Sequence, residues 1–267
     1  MRRLLTFECE RAQLGATLDE AEGATGFLMV TGGSQTRIGS HRLYERLATA
    51  MATRGSPCFR FDRRGVGDSG GEDPGYRGSA ADLAAAAVAF RAEQPQLERV
   101  IGIGLCDGAT ALALFGAETG IEEAVLINPW LVEAEAGAPP PAAIRRHYRE
   151  QLVSIKGWKR LLGGSVSYRK LLKGIMKAAG PIEGSELAAE VARSLRRGGM
   201  SASLILATGD ATAIATAREV RTRAFHGLIG RCEEIDTDSH TFAKPGDLEA
   251  LVAAVLRVVS TGAGTPP

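Results

Sequence analysis

The stretch Arg99 to Leu112, RVIGIGLCDGATAL, constrains the fold of this chain more than any other. Val100 to Ile103 is a short apolar run that reads as a buried strand. It ends in Gly104-Leu105-Cys106-Asp107-Gly108, and small helix-forming residues follow at once. A strand that turns sharply into a helix forces the residue at its apex into a strained backbone conformation. The positions two before and two after must then be small to avoid collision. Gly104 and Gly108 meet that demand and place Cys106 at the apex. The same five residues also fit the glycine-rich strand-to-helix turn of a nucleotide-binding fold, with Cys106 buried and inert. The choice between the two falls to the rest of the chain.

On either side of the turn, apolar runs alternate with helical patterns. Residues 3 to 30 hold two or three short β-like runs, with turn signals at Gly15 and at Glu22-Gly23, and Phe27 to Val30 is a candidate central strand. It stops at Thr31-Gly32-Gly33-Ser34. A helix follows over 40–54, with Leu43, Leu47, Ala50 and Met51 on one face, then a strand over 57–61 and an alanine-rich helix over 79–91. Beyond the turn, strands are expected over 124–127, 203–207 and 231–235, and helices over 212–223 and 247–259. Such alternation implies an α/β fold with a mostly parallel sheet covered on both faces, and ligands bind at the carboxyl ends of its strands.

Between about 131 and 200 the character changes. Pro139-Pro140-Pro141 breaks the chain, and helical patterns over 142–162, 167–179 and 185–197 follow without a convincing strand. Pro129 to Met200 holds 13 Lys and Arg against 6 Glu, so a basic helical insertion is expected on a mildly acidic body. The domain reading is therefore 1–130 with 201–260 as the core, 131–200 as a helical cap or lid, and 261–267 as a disordered tail.

The net charge of +1 gives no field that argues for nucleic acid or a membrane surface. No run is long enough for a spanning helix, and the start MRRLLTFECERAQ reads as neither signal peptide nor anchor. Cys9, Cys58, Cys106 and Cys232 are widely separated, without metal-ligand spacing, which suits free thiols in a reducing cytoplasm. The chain calls for neither a metal nor a cofactor.

A cysteine at such an apex needs a base and a group to orient the base. Of His41, His147, His226 and His240, only His240 follows the last expected strand and precedes the final helix. Asp210, directly after the strand over 203–207, is the acid candidate. It could equally cap the helix that follows it. Asp236 and Asp238 lie too close to His240 in sequence to bend back onto its ring easily. The order Cys106, Asp210, His240 is the nucleophile-acid-histidine order of the α/β-hydrolase fold, and the turn resembles its G-x-S-x-G elbow with cysteine in place of serine. Two backbone N–H groups should then face the developing oxyanion, those of Asp107 and of Gly33. Ser34, His41, Trp130 and Trp158 are candidates for substrate contact. Ser69, in Gly67-Asp68-Ser69-Gly70-Gly71, spells a trypsin-like motif, but only 28 residues separate it from His41, too few for such a barrel, so a structural role is expected.

Taken together, Gly39-Ser40-His41-Arg42, FRFDRRGVGDSGG, Gly104-Leu105-Cys106-Asp107, Leu126-Ile127-Asn128-Pro129-Trp130, Gly209-Asp210 and His240 resemble the type 1 hydrolase associated with the bacterial exosortase A system. The resemblance covers nearly the whole chain and implies a cytoplasmic α/β-hydrolase. Gly108, where alanine is expected, and Ala211, where leucine is commoner, depart from it without touching the triad.

A thiolate that attacks a plain ester tends to be expelled again, whereas attack on a thioester or enol lactone is balanced. The expected partner is a small acyl substrate, free or carried on an anionic carrier such as acyl carrier protein that the basic cap would receive. The other readings are a carboxylesterase or dienelactone-type lactone hydrolase, an acyltransferase, and a catalytically silent binding protein on the same fold.

Overall fold

The computed structural model describes residues 1–132 and 185–259. The chain divides into Met1–Val132 with Ser185–Pro267, and Glu133–Gly184. Among the described residues eight strands form one sheet: β1 (Arg2–Cys9), β2 (Ala12–Asp19), β3 (Thr25–Val30), β4 (Cys58–Phe61), β5 (Arg99–Leu105), β6 (Glu123–Ile127), β7 (Ser201–Ala207) and β8 (Ile229–Ile235). Their order is β1-β2-β4-β3-β5-β6-β7-β8. The pairs β1–β2 and β2–β4 are antiparallel, and every other pair is parallel. The helices are α1 (Leu43–Ala52), α2 (Ala80–Glu93), α3 (Asp107–Phe115), α4 (Glu186–Gly198), α5 (Ala211–Glu219) and α6 (Asp247–Val259).

The central strands carry apolar side chains at successive positions because helices cover both faces of the sheet. Leu28 and Val30 of β3 point into one layer with Leu83 and Phe90 of α2, Leu112 of α3 and Val191 of α4. Phe27 and Met29 point into the other, with Leu47 and Met51 of α1 and Leu251 and Val255 of α6. The edge strand β1 instead alternates between exposed and half-buried positions.

Two expectations are corrected. Gly15 is not a turn but lies inside β2; the chain reverses at Glu10, whose φ is +54°. Its glycine serves close approach, since a Cβ there would lie 3.1 Å from Asp68 Cβ and 3.3 Å from Arg37 Nη1. The expected cap, 131–200, also runs too far. Its last stretch is α4, capped by the Ser185 hydroxyl on Ala188 N–H and closed by Gly199 at φ +62°. This helix buries Leu187, Val191 and Leu195 in the core. The helices expected over 142–162 and 167–179, His147, Trp158 and the tail 261–267 lie outside the described residues. Among the described residues no helix is long and apolar enough to cross a membrane.

Candidate active site

The site is built where the parallel strands end. Strand β5 runs into α3 through Cys106, whose φ of +59° and ψ of −128° are those of a strained apex. Both flanking glycines are required by space. A Cβ on Gly104 would lie 2.6 Å from Ala109 Cα, and one on Gly108 would lie 2.6 Å from the Thr31 and Val30 carbonyl oxygens. The strand-turn-helix expected from the sequence is thus set by close backbone contact with its own helix and with the end of β3.

Asp210 follows β7, and His240 sits in the loop after β8. The His240 Nδ1 and Asp210 Oδ2 are 3.0 Å apart, with the carboxylate buried. The same Oδ2 accepts the Ala213 N–H at 3.0 Å, so Asp210 caps α5 and holds the imidazole at once. The Cys106 thiol lies near enough to the imidazole to help raise its pKa as well. With Nδ1 committed to Asp210, Nε2 is the nitrogen left for the thiol. Burial works against the imidazolium, but the hydrogen bond to Asp210 and the nearby Asp210 and Cys106 overcome it and raise His240 to about 9. The alternative acids are engaged elsewhere: Asp238 pairs with Lys244 at 2.7 Å, and Asp236 faces the Thr208 hydroxyl.

The His240 loop is pinned at several points. Phe242 is buried against the α1–α6 layer, and Asp247 Oδ2 accepts from the Thr237 hydroxyl at 2.8 Å and from Lys244 N–H at 3.1 Å. Asn128, after β6, adds a tie that sequence reasoning missed. Fully buried and at φ +41°, it donates from Nδ2 to the His240 carbonyl at 3.0 Å and accepts the Ala207 N–H at 2.9 Å. Its own N–H bonds the Ile205 carbonyl. Asn128 therefore joins the ends of β6 and β7 to the histidine. An asparagine before Pro129 at a strand end signals a tight turn, but nothing in the sequence shows which carbonyl its amide meets.

The loop over Thr31 to Gln35 is a closed turn, with Gln35 N–H on the Gly32 carbonyl and the Thr31 hydroxyl on the Gln35 carbonyl. Gly33 stands at φ +56°. Its N–H, expected to await a substrate, instead donates to Asp107 Oδ1 at 2.6 Å. The Asp107 N–H lies at the first position of α3, where a helix leaves its amides without internal partners.

Among the substrate-contact candidates, Trp130 is tied to the elbow: its N–H bonds the Cys106 carbonyl, and its own carbonyl accepts the Thr110 hydroxyl. Ser34 and His41 are exposed. Ser69 accepts the Gly15 N–H and donates to the Asp62 carbonyl, a structural placement. Cys9, Cys58 and Cys232 are each pushed up, burial being the largest cause, with Cys9 reaching about 11. Among the described residues no cluster of His, Cys, Asp and Glu could hold a metal ion.

The profile of the alpha/beta hydrolase family matches residues 27–244, most of the chain. The chain belongs to that family. No curated protein sequence matches it. Solved α/β hydrolases share the fold along nearly the whole length. An esterase of Pyrococcus furiosus is 16% identical, with a TM-score of 0.65 over 97% of this chain and 90% of its own. An alpha-beta serine hydrolase homologue from Coxiella burnetii is 15% identical, with a TM-score of 0.62 over 96% and 97%. A dienelactone hydrolase from Anabaena variabilis is 15% identical, with a TM-score of 0.62 over 96% and 95%. At these identities the likeness is one of fold.

Proposed function

We propose that this α/β hydrolase cleaves thioesters or activated esters through a covalent acyl-enzyme on Cys106. The observation that carries the reading is His240 held on Asp210 through Nδ1 in the loop after β8, at the same carboxyl end of the sheet as the strained apex of Cys106. With the proton held on His240 Nε2, the Cys106 sulfur bonds the acyl carbon, and the carbonyl electron pair moves onto oxygen. Collapse expels the thiolate or alkoxide, which takes the proton from His240. Water, deprotonated by the same imidazole, then attacks the acyl carbon, and the Cys106 thiolate leaves. Asp210 keeps its charge and orients the ring throughout. The Asp107 and Gly33 N–H groups are the proposed oxyanion donors, the second after release from the Asp107 carboxylate.

A cysteine nucleophile favours acyl donors whose leaving group is comparable to a thiolate. The basic composition of 131–200 suits a substrate delivered on an anionic carrier, and the resemblance to the exosortase-associated hydrolases would suit work in the cytoplasm. A lactone hydrolase of dienelactone type is the second reading, favoured by the fold likeness to the Anabaena enzyme. The test is intact mass after brief exposure to a panel of acyl thioesters, oxygen esters and an enol lactone, with Cys106→Ala alongside. An acyl adduct on the unmodified chain from thioesters, absent from the variant, is expected. An adduct from the lactone alone would favour the second reading. No adduct and no released thiol from any donor would point to a silent binding protein.

A further inference from the structure

Guanidinium groups that are buried or largely covered in this fold are matched to buried carboxylates. Arg60 pairs with Asp19 at 2.9 Å, Arg64 with Asp82 at 2.6 Å, and Arg37 with Asp62. The rule follows from the cost of removing a charge from water, which only a close partner offsets. Arg63 departs from it. Its side chain is 3% exposed, and the carboxylate recorded near it is Asp73, 3.8 Å from Nη2 and itself about a third exposed. Nε and Nη1 are buried without a hydrogen-bond partner among the described residues. Among the described residues its one hydrogen bond, from Nη2, goes to the Gly33 carbonyl.

Gly33 is thereby held between two charges from different elements, the Arg63 cation on its carbonyl and the Asp107 carboxylate on its N–H. A Cβ on Gly33 would meet nothing within 4 Å, so space does not demand a glycine there; the left-handed φ of +56° does. At Gly32 the reverse holds. A Cβ there would lie 2.5 Å from Asp107 Oδ1 and 3.2 Å from Cys106 Cβ. An anionic oxygen therefore already stands close to the nucleophile, on the very N–H that a reacting carbonyl oxygen would need.

We infer that Arg63 is a positioning residue that holds Gly33 in its donor conformation and sets a positive potential at the oxyanion position, which the Asp107 carboxylate occupies at rest. The inference rests on the acyl-transfer reading above. A guanidinium fixed before the reaction stabilises charge that develops later without reorganising. Its burial beside only a distant, part-exposed carboxylate gains a use when negative charge appears nearby. The Asp107 side chain leaves by rotation about χ1, with no change in backbone, and gives up the Gly33 N–H to the substrate oxygen. Arg63 stays on the carbonyl throughout.

The test uses hexanal as a reversible probe. The Cys106 sulfur bonds the aldehyde carbon, and the thiol proton ends on the former carbonyl oxygen, which sits at the oxyanion position. Affinity is read as protection of Cys106 from iodoacetamide, followed by intact mass; the alkylation rate without aldehyde reports the thiol alone. Arg63→Met should weaken hexanal protection by about tenfold or more, with the bare alkylation rate within about twofold of the original. Arg63→Lys should recover part of the loss. Asp107→Ala should act oppositely and strengthen protection about fivefold or more, because the competing occupant is gone. Equal losses in both rates for Arg63→Met would mean a merely structural role and overturn the inference. So would unchanged hexanal affinity in that variant, or weaker affinity in Asp107→Ala, which stands independently should the Arg63 variants not fold. Alkylation of Cys106 with no protection by hexanal in any variant would sink the acyl-transfer reading as well.

Discussion

Asp210→Asn separates the two tasks that one carboxylate oxygen performs. The amide keeps an oxygen to accept the Ala213 N–H, so the helix cap survives at a cost of a few tenths of a kcal/mol. The charge that holds His240 is lost. His240 rises from 6.5 to about 9 in the fold; the difference, 9 − 6.5 = 2.5 units, corresponds to roughly 3.4 kcal/mol. That figure is an upper bound, because the side chain is 30% exposed and solvent screens part of the gain. Asp210 and Cys106 share the effect, so removing one charge should lower the His240 pKa by about one to two units and cost about 1.4 to 2.7 kcal/mol. The sign follows from a folded pKa above the unfolded one. The stabilisation is fully present below about pH 6.5 and is lost as pH rises through about 9. Urea unfolding of both proteins at pH 6 and at pH 9.5 or above, with an NMR titration of the His240 ring, measures it. The unmodified chain should be the more stable at pH 6, and the gap should shrink toward the cap term alone at high pH. A His240 pKa that does not move in the variant, or a gap of the same size at both pH values, would refute the reasoning.

Asn128→Ala should leave the His240 carbonyl and the Ala207 N–H without their partner. Destabilisation of about 1–3 kcal/mol per orphaned buried group is expected, with a fall of at least about tenfold in the acylation rate of Cys106, read by denaturation and by adduct formation. The glycines of β5 and of the elbow should respond according to what a methyl group would strike. Gly108→Ala meets backbone oxygens at 2.6 Å and should fail to fold or lose more than about 3 kcal/mol, whereas Gly102→Ala meets only the end of the Leu112 side chain and should cost less; soluble yield and thermal midpoint distinguish them. Asp19→Asn would leave the buried Arg60 without its anion and should lower stability by about 3–5 kcal/mol; a loss under about 1 kcal/mol would contradict the pairing argument.

What was legible in the sequence was whatever local sterics or strand order determine. Gly104 and Gly108 announce the elbow because no other residue type fits so close to the backbones of α3 and β3. Asp210 and His240 could be proposed from the sequence because each lies in a loop that leaves the carboxyl end of a strand of a parallel sheet. Gly15 misled because glycine marks either a turn or a close approach, and the partners that decide, Asp68 and Arg37, are remote in sequence. The end of the cap was misjudged for a similar reason. The spacing of Leu187, Val191 and Leu195 is that of any amphipathic helix and does not say which surface the helix covers. Arg63 and Arg64 are adjacent, yet one meets Asp82 and the other the Gly33 carbonyl, a difference that only the folded loop creates.

The strained backbone of Cys106 has an evolutionary consequence. Glycine would occupy φ +59° at little cost, and the present residue forgoes a stabilisation of about 1–3 kcal/mol. A descendant released from selection for turnover would gain by drifting to glycine at that one position. It would still retain Asp210 and Asn128, which the fold needs for its own sake. In such a lineage the acid and the asparagine would say nothing about activity, and the side chain at the apex would be the record of whether the site is still in use.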